Sequence, residues 1–155
     1  DIDDDSIEYL DILALGFHMM ARLINISDYY TIYGKNYFSR FSKKNVQKIA
    51  EYNTETMIKA LNKYNVDFIT HPGARIPMNI KRLAVEAANT ETALEINSKS
   101  NAMSISDIRM AAEIGVKFVI NSDAHIPLDV GNFERGIKIA KEAGLTKEQI
   151  LNAAK

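Results

Sequence analysis

The stretch FVINSDAH, residues 118–125, decides how this chain is read, because an apolar run breaks there into Asp123 and His125. Two other short apolar runs end in the same way. ILALGFH (12–18) closes on His18, and VDFITH (66–71) closes on His71, followed at once by Pro72 and Gly73. The chain has three histidines, and each ends a strand-like run. A fourth run, 92–97, carries Glu95 and Asn97.

Helical patterns separate these runs. Residues 42–64 place Val46, Ile49, Ala50, Met57 and Leu61 along one side, with Ser42 as an N-cap. Ile80, Leu83, Ala84, Ala87 and Ala88 do the same over 79–89, and Ser104 with Asp107 opens a capping-box helix that stops at Gly115. A helix built on Phe133, Ile137, Ile139 and Ala140 runs to Gly144, and Thr146 with Gln149 reads as a capping box for a last short helix, where Ile150 and Leu151 dock. About four strands alternating with helices imply an α/β fold with a parallel sheet and right-handed crossovers.

Such folds gather the carboxyl ends of their strands at one face, where sites are built. In an extended segment residues i and i+2 point the same way, so Asp123 and His125 are expected to aim at a common point. With His18 and His71 they form an imidazole and carboxylate set suited to zinc, manganese or iron. A lone strand-end histidine is more often inert, and it is the recurrence that favours a metal. In strand 92–97, Leu94 and Ile96 face one side while Ala93, Glu95 and Asn97 face the other. A carboxylate buried there needs hydrogen bonds or a nearby cation, which makes Glu95 either a ligand or a support for the ligands. Arg75 and Lys99 are candidate phosphate contacts, weighed against ordinary solvated cations.

Composition narrows the function. At 155 residues the chain has the size of one domain, and 46% hydrophobic with 25% charged residues is ordinary for a globular protein. A net charge of −1 argues against general nucleic-acid binding. The lack of cysteine rules out disulfides and thiolate ligands. No apolar run approaches the ~20 residues of a membrane span, so the expectation is a cytoplasmic protein without a membrane partner. The acidic start DIDDDSIEYL reads as a short helical turn, since it lacks the glycine and closing glutamate of a calcium loop. Residues 19–41 crowd Tyr29, Tyr30, Tyr33, Tyr37, Phe38 and Phe41 among Arg22, Lys35 and Arg40. Packing onto the strand layer is favoured there over a substrate lid or a platform for single-stranded nucleic acid.

Taken together, GFH at 16–18, THPG at 70–73, LEIN at 94–97 and NSDAH at 121–125 resemble the carboxyl-terminal part of a polymerase and histidinol phosphatase (PHP) domain. The order and spacing of all four agree. The resemblance is strongest to small stand-alone phosphatases of the YcdX type, with the PHP module of family X DNA polymerases as alternative, acting as an exonuclease or a structural prop. A non-catalytic PHP-fold module is a further alternative.

The resemblance implies the second half of a distorted seven-stranded β/α (TIM-like) barrel over residues 1–155, treated as a single domain. It also implies a metal-dependent phosphatase acting on a small phosphorylated substrate, with nucleic acid as partner only under the polymerase alternative. Two or three metals would activate water and clamp the attacking and leaving oxygens. His18 and His71 would share one metal with a glutamate from outside this sequence, and Asp123 and His125 would serve the others as ligands and catalytic residues. Glu95 and Asn97 would support the ligands. The family's opening His-x-His strand does not occur here, so the expected site is incomplete and the chain alone is expected to be inactive. An open half barrel exposes strand edges, which a dimer or a segment swap would close.

Overall fold

The computed structural model describes residues 4–17, 36, 43–74 and 76–154. A 3-10 turn, Asp4–Tyr9, leads into β1 (Ala14–Leu15), α1 (Lys43–Lys63), β2 (Phe68–Ile69), α2 (Ile80–Asn89), β3 (Ala93–Asn97), α3 (Ile105–Ile114), β4 (Phe118–Asn121) and α4 (Glu134–Ala143). The four strands form one parallel sheet in the order β1-β2-β3-β4. Sequential order with right-handed crossovers puts every helix on the same face of the sheet, as in the wall of a β/α barrel; a doubly wound sheet would reverse its order. The helices accordingly touch in sequence, α1 on α2, α2 on α3 and α3 on α4.

Side-chain alternation in β3 fixes what each face of the sheet does. Leu94 and Ile96 point into an apolar cluster with Phe118 and Ile120 of β4, Leu83 and Ala87 of α2, Ile108 and Ala111 of α3, and Ala140 and Ala143 of α4. All five residues of β3 are buried, so Glu95 and Asn97 lie in the interior of the opposite face. Burying side chains the size of Leu94 or Ile96 contributes roughly 1.5–3 kcal/mol each.

Helix boundaries follow the chemistry of their ends. Ser104 and Asp107 form the expected capping box on α3, and Gly115 ends it at φ +107. Asn79 caps α2 by accepting from the Arg82 N–H. Asn79 is itself clamped from α1: Thr54 Oγ1 accepts its backbone N–H at 2.8 Å, and its side-chain amide donates to Glu51 at 2.6 Å. Arg82 completes that junction by pairing with Glu51 and Glu55. Of the predicted stripe, Ile49, Met57 and Leu61 are buried and Val46 and Ala50 half-buried; Thr54 is buried beside it for this junction, and Asn53 donates to Pro77 O at 2.9 Å. Ser42 and the aromatic stretch 19–41, apart from Asn36, lie outside the described residues.

The strands are shorter than the apolar runs suggest. β1 and β2 keep two residues each of the predicted 12–18 and 66–71, and β2 ends before it reaches His71. α4 also differs from its reading. Phe133 and Ile137 are 39% and 42% exposed, and the helix packs instead through Gly136, Ala140 and Ala143. Gly136 is the reason. A Cβ there would lie 2.5 Å from Ile120 Cγ2 and 2.6 Å from Ser98 Oγ, so only glycine lets α4 come this close to the sheet.

The outer edge of β4 is closed by the chain's end. Ile150 bridges Phe118, Leu151 N–H donates to Phe118 O, and the Asn152 amide pairs with both the N–H and the C=O of Ile120. One side chain thus satisfies both backbone groups of an edge strand. Leu151, expected to dock, is 59% exposed, since its role there is a backbone one.

At the other end of the sheet the 3-10 turn is tied to α1. Asp4 accepts from Lys63 Nζ at 2.9 Å and from the Tyr64 hydroxyl at 2.8 Å, and these hydrogen bonds hold its carboxyl below the usual carboxylate range. Substituting Gly136→Ala is expected to lower stability by about 1–3 kcal/mol through overpacking. Urea denaturation measures it, and an unchanged midpoint would show that the α4 contact is loose.

Candidate functional site

The face at the carboxyl ends of β2, β3 and β4 is organised by Glu95. Its side chain sits in the sheet interior at 4% exposure, yet it is well satisfied. Oε2 accepts the His71 backbone N–H at 2.5 Å and the Asn97 amide at 3.1 Å, while Oε1 accepts the Asn121 amide at 2.9 Å. One carboxylate therefore joins the exits of β2, β3 and β4. Leaving a buried carboxyl group unpaired is strongly destabilising, and three donors converge on this one.

Asn97 extends this network into the loop. Its Oδ1 accepts the N–H groups of Lys99 at 2.9 Å and Ser100 at 2.7 Å, an Asx-type turn that bends the chain off β3. Ser100 Oγ in turn lies 3.4 Å from Asp123 Oδ2. The connection runs from Glu95 through Asn97 and Ser100 to Asp123.

His71 and Asp123 both sit in unusual backbone conformations. Among the described residues the non-glycine positions with positive φ are His71 (+31), Glu91 (+54) and Asp123 (+51). Two of these three are strand-end candidates, in a region that costs an ordinary residue of order 1–3 kcal/mol and that recurs at functional sites. At His71 the hydrogen bond to Glu95 holds the strained backbone. Pro72 and Gly73, the latter at φ +81, then form a tight turn closed by Ala74 N–H donating to His71 O at 3.0 Å.

The positive φ of Asp123 also changes how it meets His125. The segment is not extended, so the two side chains are not brought together by strand alternation. They meet through a turn instead: His125 Nδ1 lies 2.7 Å from the backbone O of Asp123 and 4.0 Å from its Oδ1. A carbonyl oxygen only accepts, so Nδ1 carries the proton, and in the neutral ring Nε2 is the nitrogen with the lone pair. This is the tautomer that a metal-binding histidine uses, with its second nitrogen fixed by a backbone carbonyl.

Asp123 and His125 are thus paired, with a carboxylate and a free imidazole nitrogen that suit a divalent ion. His71 stands at the exit of β2, with β3 between it and the pair. Among the described residues no group of three His, Asp or Glu side chains could hold a metal by itself. His18 and Arg75 lie outside the described residues. Lys99 Nζ is directed to Asp129 at 3.7 Å, a weak exposed pair, and its backbone O accepts from Arg135 at 2.7 Å.

Asn121, Ser100 and Arg135 are parts of this face that the motif reading does not single out. Asn121 was accessible in principle, because it pairs in register with Asn97 and so shares its side of the sheet. Ser100 and Arg135 act through loop geometry, which carries no periodic signal.

No family model matches the chain. Among curated proteins it is similar to several named "probable phosphatase". One, from Thermoanaerobacter pseudethanolicus, is 37% identical over 111 residues, covering 66% of this chain and 45% of the relative. Another, from Shewanella sediminis, is 34% identical over 108 residues, or 64% and 44% of the two chains. A third, from Caldanaerobacter subterraneus subsp. tengcongensis, is 34% identical over 113 residues, or 67% and 44%.

Replacing Glu95 by Gln keeps the shape but turns an NH₂ toward donors. The expected loss is about 1.5–3 kcal/mol, with faster hydrogen exchange at the His71 amide. Wild-type stability and exchange in Glu95→Gln would show that the carboxylate does not organise the face. The chain spans less than half the length of the relatives it matches, so its likeness is to one part of proteins that bear the name phosphatase.

Proposed function

We propose that this chain is the carboxyl-terminal part of a PHP-superfamily phosphoesterase that cleaves phosphate esters with the help of divalent metals. The observation that carries the reading is the Asp123 and His125 pair, in which the Nδ1 contact to the Asp123 carbonyl leaves Nε2 as a ligand atom at the strand-end face. The similarity to proteins named probable phosphatase supports the same reaction class. The sequential four-stranded sheet with helices on one face is what one half of a seven-stranded β/α barrel would look like.

His71, Asp123 and His125 would hold metal, with His18, and a protein of the relatives' full length would supply the remaining ligands. Zinc, manganese or iron bound there would polarise the phosphate ester and lower the pKa of water. The chain's own residues orient these groups. Glu95 holds the His71 backbone, Asn97 and Ser100 set the loop beside Asp123, and the Asp123 carbonyl fixes the His125 tautomer. A non-catalytic module is the second reading, favoured by the lack of a three-ligand group among the described residues. A homodimer closing the sheet at β1 would complete the architecture if no other segment does.

The test is hydrolysis of a generic aryl phosphate with added divalent metal. Residues 1–155 alone are expected to show little turnover. The same residues joined to the part of the Thermoanaerobacter relative that they do not match should show turnover that a chelator abolishes. Asp123→Ala should reduce that turnover at least ~100-fold, the scale on which removing one catalytic electrostatic group acts. Turnover that ignores the chelator and survives Asp123→Ala would overturn the proposal.

A further inference from the structure

A polar cavity of about 300 Å³ opens between the loops that follow β3 and β4, at the amino end of α4. Its walls include Ser98 and Lys99 after β3, Ser122 after β4, Asp129 and Asn132 in the next loop, and Arg135 of α4. None of these is a metal-ligand candidate.

Two independent features give the cavity spare donors. The first is the helix end. Phe133 stands at the cap position of α4 and no side chain caps the helix. The amides of Glu134, Arg135 and Gly136 have no acceptor within the helix, since the first such bond is Ile137 N–H to Phe133 O at 2.9 Å. The second is Ser98. It is 8% exposed, it lines the cavity, and its buried hydroxyl has no hydrogen-bond partner. That hydroxyl lies against the first turn of α4, 2.6 Å from where a Cβ on Gly136 would stand. An unpaired buried hydroxyl is destabilising, and a ligand that accepts from it would recover that loss.

We propose that this cavity is an oxyanion subsite that takes a phosphate group. The unpaired amides and the helix dipole favour an anion at this end. Arg135 and Lys99 supply positive charge at its rim. Asp129 and Glu134 oppose them, so the side chains alone balance, and the amides and the Ser98 hydroxyl decide the sign. Lys99 is held by Asp129 only at 3.7 Å and can turn to an incoming phosphate. The occupant is either a second phosphate carried by an organic substrate or the free ion. Its assignment as phosphate rests on the phosphoesterase reading, while the donor geometry does not.

The experiment is an amide-resolved NMR titration of the chelator-treated chain with inorganic phosphate and, separately, with phenyl phosphate. Saturable shifts at Glu134, Arg135 and Gly136 are expected. Ser98→Ala should weaken binding roughly three- to tenfold, the range for one lost hydrogen bond. Its thermal midpoint should be unchanged or raised, because a methyl replaces an unpaired hydroxyl. Arg135→Gln should weaken binding as well.

A response to both ligands assigns the subsite to a phosphate borne by a larger molecule, and a response to inorganic phosphate alone assigns it to the free ion. Absence of saturable shifts at these amides, or equal affinity in the wild type and both variants, would overturn the proposal. The titration uses no metal and cleaves no ester, so its failure leaves the phosphoesterase reading standing. Failed hydrolysis likewise leaves this binding intact.

Discussion

Everything at the strand-end face depends on a buried carboxylate that three strand exits share. Glu95 has 4% of its surface exposed and accepts from the His71 backbone, Asn97 and Asn121. A parallel sheet gives no covalent reason for its strands to stop in register. Here the exits of β2, β3 and β4 are joined by one acceptor, and the bonds are directional because its partners, the His71 backbone N–H and the Asn97 and Asn121 side-chain amides, are carried on the strand ends themselves. The rest of the fold serves to keep that acceptor dry. Leu94 and Ile96, its neighbours on β3, anchor the strand to the helical layer from the opposite side.

This arrangement explains why backbone strain is tolerated where it is. His71 and Asp123 both adopt positive φ, which an isolated chain would avoid. Each is held by contacts that a regular strand would not make. His71 donates to Glu95, and the Asp123 carbonyl accepts from His125. The strain sets the direction in which the chain leaves the strand, and so it acts on the site without contributing a donor atom of its own.

The alternation of apolar runs and helical stripes made the four-stranded parallel fold legible before any coordinates. Ser104 located α3, while the short helix expected after Thr146 is a 3-10 turn, Lys147–Gln149; both capping boxes are present. The interior placement of Glu95 and Asn97 followed from the two-residue period. What periodicity could not reach was non-periodic. The positive φ at Asp123 removed the extended geometry assumed for Asp123 and His125. Gly136 turned α4 onto its small-residue face and left Phe133 and Ile137 partly in solvent, because close backbone approach outweighed the burial of larger side chains. The Asn152 clasp on Ile120 depends on a residue 32 positions away and has no local signature.

The central claim is that the strand-end histidines and aspartate act together on a divalent ion. The most direct measurement is metal content per chain by elemental analysis, on residues 1–155 joined to the unmatched part of the Thermoanaerobacter relative and purified without chelator or affinity metal, beside a His71→Ala, Asp123→Ala double variant. The account predicts zinc, manganese or iron retained by the wild type and lost by a variant that still folds. Equal metal content in the two proteins, or metal in neither after divalent ions are supplied, would contradict it.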